Sequence, residues 1–208
     1  MKIYLVRHAR VPSNLRNIAY NNQENEALTK EGEKQAKKLA KRLTQINLDK
    51  IFISESKRAY QTILPFLRIK SIPFERDWRL NDCKYGIFGG LTIEEAKKKY
   101  PDIFEKRRRD KWNISIPKGE SFKDLAIRLD SFLNDLKKEV KKFNLENILL
   151  ITHATNLKVF LIRYLGFSVE KADSIYFENT SISIFDFRGE KIKPIIINDF
   201  SHLNESNL

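Results

Sequence analysis

The stretch 1-MKIYLVRHAR-10 drives an apolar segment, Ile3 to Val6, straight into Arg7 and His8. Four consecutive apolar residues are too few for a helix and too continuous for a strand with one wet face, so IYLV reads as a strand buried on both sides. A second run ends in the same way: in 147-NILLITHAT-155 the apolar ILLI at 148–151 leads to His153. The only other histidine is His202, close to the C-terminus. Two histidines at matching strand exits point to one shared site.

Working outward, strand-like and helix-like patterns alternate. Residues 9–27 are polar and read as a loop. From Thr29 a helix fits, with Ala36, Leu39, Ala40 and Leu43 on one face. IFI at 51–53 is the next strand, followed by a helix through Arg58 and Thr62 toward Pro65. Ser121 and Asp124 form a capping-box start for a long amphipathic helix that carries Phe122, Leu125, Leu129, Phe132, Leu133, Leu136 and Val140. A helix after ILLI passes Val159 and Ile162 and stops at Gly166. SISIFDF at 181–187 alternates like a strand with one wet face, and PIII at 194–197 resembles an edge strand with proline at its first position. Such alternation predicts a three-layer α/β/α fold, a mainly parallel sheet with helices on both faces.

Residues 75–120 are less regular. They hold Gly86, Gly89, Gly90 and Gly119 and a short helix, TIEEAKKKY at 92–100, that Pro101 ends. The expectation is a single domain over 1–208 with a cap-like insertion at about 84–118.

Composition narrows the function classes. No charged segment followed by an apolar stretch marks a signal peptide, and no run is long enough to span a membrane. One cysteine, Cys83, excludes an internal disulfide. Together these predict a cytoplasmic protein with no membrane partner. The net charge of +12, from 39 Lys and Arg against 27 Asp and Glu, suits a nucleic acid or a small anionic substrate. Most lysines fall on solvated helix faces, as in EKQAKKLAKRL at 33–43 and LKKEVKKF at 136–143, which makes nucleic acid the weaker reading. EKRRRDKW at 105–112 is the exception, and its Arg107 and Arg108 are candidates for binding substrate.

In open α/β sheets ligands bind at the carboxyl ends of the strands. Arg7 and His8 leave the first strand there, Arg58 lies in the first turns of the helix after the second, and His153 leaves a later one. Two guanidinium forks and two imidazoles fit a phosphoryl group, because the forks match its oxygens and a neutral imidazole is a nucleophile. Nearby positive charge disfavours imidazolium and keeps the lone pair free, while the other ring nitrogen is expected to donate to a backbone carbonyl.

Rival chemistries fail on spacing. A cysteine phosphatase needs arginine six positions after its cysteine, where this chain has Gly89 after Cys83. Clustered zinc ligands and a GxxxxGK[ST] loop are both missing, so neither a metal site nor an NTPase is expected.

LVRHARVPSN at 5–14 resembles the signature of the histidine phosphatase superfamily, the phosphoglycerate mutase-like proteins. The resemblance continues, in the family's order, through ALTKEGEKQAKKLAKRL, FISESKRAYQT, LNDCKYGIFGGLT, PKGESFKDLAIRL, LLITHATNL and ENTSISIF. It implies that His8 becomes phosphohistidine, that Arg7, Asn14 and Arg58 bind the phosphoryl oxygens, and that His153 hydrogen-bonds the transferring group, with no metal and no cofactor. The family's general acid is usually Glu; here the position is Asp82, one methylene shorter, with Glu75 and Asp77 as the neighbouring alternatives. Arg10 stands where Glu is frequent, and either favours a second anionic group on the substrate or points to solvent.

The implied activity is a phosphomonoesterase acting on a small phosphorylated substrate. Mutases of the family generally carry a longer insertion after the acid segment, so a phosphoglycerate mutase-type phosphotransferase is the second reading. A non-catalytic module that binds phosphate or RNA is the third.

Overall fold

The structure, a computed structural model, describes residues 1–16, 18, 26–188 and 192–204. Six strands form one sheet: β1 (Lys2–Arg7), β2 (Lys50–Ile53), β3 (Phe74–Arg76), β4 (Asn147–Thr152), β5 (Ile182–Asp186) and β6 (Lys193–Asp199). Their spatial order is β3-β2-β4-β1-β5-β6. β1, β4, β2 and β3 pair in parallel, while β5 runs antiparallel to both β1 and β6.

Side chains alternate across the sheet, and both faces are covered, which is why the central strands are uniformly apolar. Ile3 and Leu5 of β1, Phe52 of β2 and Ile148 and Leu150 of β4 pack against α6 (Phe122–Phe143) and α7 (Ala154–Leu165). Tyr4, Val6, Ile51, Ile53, Leu149 and Ile151 face the other way, against α2 (Lys30–Leu43) and α3 (Lys57–Leu67). The predicted layers are thus present, and the sheet is mostly parallel.

Helix boundaries follow local chemistry. Thr29 caps α2 by accepting from the Gly32 N–H, and the Ser121–Asp124 capping box starts α6. Gly166, at φ 70°, ends α7 in the left-handed region. Gly32 also lets α2 approach the chain after β1, since a Cβ there would fall 2.1 Å from the Arg10 carbonyl oxygen.

Some expectations need correction. The polar stretch 9–27 is not all loop: α1 (Pro12–Leu15) begins on a proline with Asn14 at N3, whose Oδ1 accepts from the Val11 N–H at 3.1 Å. Residues 17 and 19–25 of that stretch lie outside the described residues. The short helix α4 (Ile93–Lys99) does end before Pro101 as expected, but that proline also opens a further helix, α5 (Pro101–Arg109), as its first residue, where a missing N–H costs nothing. β5 has no wet face of the expected kind, because Ser183 is buried and its hydroxyl accepts from the Asn198 N–H. Pro194 is the second residue of edge strand β6, not the first.

The segment 84–118 leaves and rejoins the body at a tight neck. Ile87 N–H donates to the Pro117 carbonyl at 3.1 Å, and Glu120 N–H donates to that of Lys84 at 2.8 Å. Gly86, at φ 47°, sits in this neck, where a Cβ would lie 2.0 Å from the Pro117 carbonyl oxygen.

Candidate active site

β1 and β4 are neighbours, so their exits are adjacent: His8 N–H continues the ladder to the Thr152 carbonyl at 2.9 Å. Arg58 joins them from the first turn of α3, which follows β2 on the other side of β4. Arg7, His8, Arg58 and His153 are all buried, and the rings of His8 and His153 lie 5.2 Å apart.

His8 Nδ1 is 2.8 Å from the Ala9 carbonyl oxygen. A carbonyl only accepts, so Nδ1 carries the hydrogen and Nε2 the lone pair. Ala9 is itself fixed, its N–H donating to Thr62 Oγ1, which donates in turn to the Arg58 carbonyl. Asn179 Nδ2 donates to the His8 carbonyl at 2.9 Å and approaches Asn14 Oδ1 at 3.3 Å. With that oxygen accepting, the Asn14 amide NH₂ is left as a donor in the cavity wall. Burial, then the charges of Arg58 and Arg7, hold the His8 imidazole well below its ordinary pKa, against the opposing pull of the Ala9 bond.

Arg7 Nη1 donates to the Phe177 carbonyl, and its guanidinium lies 5.4 Å from the Tyr176 ring centre. Its Nε is buried without a hydrogen-bond partner among the described residues, which is costly unless an anion is bound there.

Arg58 Nη2 reaches His153 Nδ1 at 3.1 Å and Asp82 Oδ2 at 3.4 Å. Since Arg58 can only donate, His153 accepts at Nδ1 and donates from Nε2 to Ser54 Oγ at 2.8 Å, which donates to Asn81 Oδ1 at 2.9 Å. Burial, then Arg58 and His8, keep His153 neutral well below its ordinary value. Fully buried and with both ring nitrogens engaged by protein groups, His153 stands behind the cavity wall rather than on it. Its contacts among the described residues include Arg58, Asp82, Ser54 and the His8 ring.

Asp82 lines the cavity and accepts from its neighbour's N–H, Cys83, at 2.9 Å. Burial outweighs the opposing Arg58 charge and lifts its carboxyl above the ordinary range, as a proton donor requires. Its backbone is held from α6: Arg128 donates to the Asp82 and Arg79 carbonyls and pairs with Glu120. The two neighbouring carboxylates lie elsewhere. Asp77 is bound to Arg79, and Glu75 to Lys50 at the far edge of the sheet, and neither lines the cavity. Buried Cys83 has its thiol pushed up to about 12 by burial and then by Asp82, so it is an inert packed residue.

The cavity measures about 690 Å³, far more than a phosphoryl group needs. Besides the groups above, its wall includes Arg107 and Lys111 from the 84–118 segment, Lys158 from α7 and Asp173, the last residue of α8 (Val169–Asp173). Asp173 accepts from both lysines, at 2.9 Å from Lys158. Burial pushes its carboxyl up, but those hydrogen bonds prevail and hold it below the ordinary value.

The structure does not bring every candidate here. Arg10 is off the wall; its N–H donates to Gln35 Oε1 and its carbonyl accepts from the Thr29 N–H. Arg108 pairs with Glu105 on the exposed face of α5. Arg107 does line the cavity, yet it also donates to the Lys111 and Ile114 carbonyls and lies 5.1 Å from the Phe122 ring centre. Lys111, Lys158, Ser54, Arg128 and Asn179 went unnoticed in the sequence. Arg128 and Glu120 lie within PKGESFKDLAIRL, a block whose family likeness could have singled them out.

Among the described residues, no helix is long and apolar enough to cross a membrane. Comparison with known proteins agrees with the geometry. The chain is 27% identical over 205 residues to phosphoserine phosphatase 1 of Hydrogenobacter thermophilus, covering 99% of this chain and 95% of that one. It is 30% identical over 171 residues to human 6-phosphofructo-2-kinase/fructose-2,6-bisphosphatase 4, covering 81% of this chain and 34% of that protein. Bacillus stearothermophilus YhfR has the same fold, with a TM-score of 0.85, 27% identity and coverage of 97% and 98%. The family profile described as the histidine phosphatase superfamily (branch 1) matches residues 3–199, and the chain belongs to that superfamily as a histidine phosphatase.

Proposed function

We propose that the protein hydrolyses the phosphomonoester of a small metabolite through a phosphoenzyme on His8, and that its substrate carries a second anionic group. The observation that carries this reading is the tautomer of His8, whose Nδ1 bond to Ala9 leaves an unprotonated Nε2 among arginines. Arg7, Arg58 and the Asn14 amide donate to the phosphoryl oxygens and hold phosphorus in line with Nε2. As the Nε2–P bond forms and the ester P–O bond breaks, Asp82 gives its proton to the leaving oxygen. The resulting carboxylate then takes a proton from the water that attacks phosphohistidine, releasing inorganic phosphate and restoring both groups. His153 keeps Arg58 oriented and remains neutral through the cycle.

The segment 84–118 serves as a cap, held down at its neck and contributing Arg107 and Lys111 to the wall. Those two groups and Lys158 outnumber Asp173 and Glu94, so the rest of the cavity favours an anion. The one thiol being buried and inert fits a reducing cytoplasm. Phosphate release from a panel of phosphorylated metabolites, in chelator, tests the reading. It expects turnover highest on substrates with two anionic groups, abolished in His8→Ala; binding without release would overturn it.

A further inference from the structure

His202, the one histidine outside the site, is buried although it comes from a short helix near the C-terminus, α9 (Ser201–Asn204). α9 is tied to α2, where Lys38 Nζ donates to the Leu203 carbonyl at 2.8 Å. From there the His202 ring reaches inward, and its Nε2 hydrogen-bonds Thr180 Oγ1 at 3.1 Å, with both residues shut off from solvent.

Thr180 has a left-handed backbone, with φ 64°. A β-branched residue is strained there and stays only where its surroundings hold it. What the strain secures is the end of β1. The Thr180 N–H donates to the Arg7 carbonyl at 3.0 Å, and the Arg7 N–H donates to the Ser181 carbonyl at 3.3 Å. Neighbours in the same loop extend the grip: Asn179 Nδ2 donates to the His8 carbonyl, and the Phe177 carbonyl accepts from Arg7 Nη1. Residues 177–181 thus hold the backbone of both Arg7 and His8 and one arm of the guanidinium.

Two side chains from the C-terminal stretch shape this loop. Asn198 of β6 accepts at Oδ1 from the Glu178 N–H and donates from Nδ2 to the Tyr176 carbonyl, each at 2.9 Å. His202 takes the strained residue itself. Relaxing Thr180 toward negative φ would swing the peptide before it and withdraw the N–H that the Arg7 carbonyl accepts.

We propose that His202 is a positioning residue: through Thr180 it locks the 177–181 loop in the form that sets Arg7 and His8 against the phosphoryl group. This rests on the reading of His8 as the nucleophile. His202 takes no part in bond making or proton transfer.

The test is rapid quench of the full chain with ³²P-labelled p-nitrophenyl phosphate, reading the rate constant and the amplitude of phosphoenzyme formation separately. Amplitude counts folded, competent molecules, whereas the rate constant reports how well each is arranged. His202→Ala is expected to slow formation roughly tenfold, with the amplitude per folded molecule close to the parent's. His202→Gln, whose amide can still hydrogen-bond Thr180, should recover most of the rate. Thr180→Val, of similar shape but without the hydroxyl, should match His202→Ala, and the double variant should lose no more than either single one. If His202→Ala does not fold, Thr180→Val decides on the same criteria. A smaller amplitude at the parent's rate constant means that His202 serves stability alone, and overturns the proposal, as does a His202→Gln variant as slow as His202→Ala. Label that is not on His8 in the parent enzyme removes the reading and the inference together. Label on His8 with a rate constant indifferent to His202 and Thr180 overturns the inference alone.

Discussion

Arg58 Nη2 stands 3.1 Å from His153 Nδ1, so one guanidinium both faces the cavity and fixes the protonation of the buried histidine behind it. That cation also lowers the pKa of His8. Replacing it by glutamine removes a phosphate donor and the charge together. Arg58→Gln should lower kcat/KM by roughly 10²–10³, as loss of one transition-state donor does. The acid limb of kcat/KM should move to higher pH, toward the ordinary histidine value. A loss with an unmoved limb would mean that Arg58 binds phosphate without tuning His8.

Stability should fall on acidification. His8 and His153 are held neutral in the fold, while in the unfolded chain they take up protons near pH 6.5. Below that value the unfolded state binds more protons, and each histidine costs about 1.4 kcal/mol per pH unit until its folded pKa is reached. Asp82, shifted upward, works in the opposite direction at lower pH, since the fold then holds the extra proton. Thermal melts between pH 7.5 and 5.5 should show Tm dropping, and dropping less in His153→Asn. Equal pH slopes would exclude His153 as a contributor.

The two lysines that share Asp173 should select charge. Lys111→Ala and Lys158→Ala are expected to raise KM for a bisphosphate several-fold with kcat nearly unchanged, an effect that weakens as salt rises. Arg108→Ala should do nothing, because Arg108 pairs with Glu105 in solvent. Arg107→Ala should instead cost stability, about 2 kcal/mol or more, because it strips two carbonyls of a charged donor. Michaelis curves and denaturant melts on the four variants check this; a KM change in Arg108→Ala would contradict the assignment of faces.

Gly86→Ala should destabilise the neck of the 84–118 segment, since a side chain there meets the Pro117 carbonyl. The expected loss is at least about 1 kcal/mol, with KM raised more than the catalytic step is slowed. Activity and melting temperature equal to the parent would show that the neck yields freely.

The sheet and the edge that gathers Arg7, His8, Arg58 and His153 were legible because their signals are local. An apolar run that ends in Arg-His marks both strand and exit, and Arg58 and Asp82 sit in short blocks of recognisable order. What stayed hidden depends on pairings across the chain between common residue types. Ser54 and Asn81 gain meaning only against His153, and Asp173 only between Lys111 and Lys158. The position of His153 behind the wall is of this kind: its place at a strand exit was readable, but not that Arg58 and Ser54 would engage both its nitrogens. Among three consecutive arginines, sequence required that the faces differ, and packing on Phe122 singled out Arg107 as the buried one.

The central claim is covalent chemistry at His8 Nε2. Rapid quench of the enzyme with ³²P-labelled substrate should trap a phosphoenzyme that is acid-labile and base-stable, map to His8, and vanish in His8→Ala. Label recovered on a carboxylate or on Cys83, or turnover with no trapped label at any quench time, would contradict it.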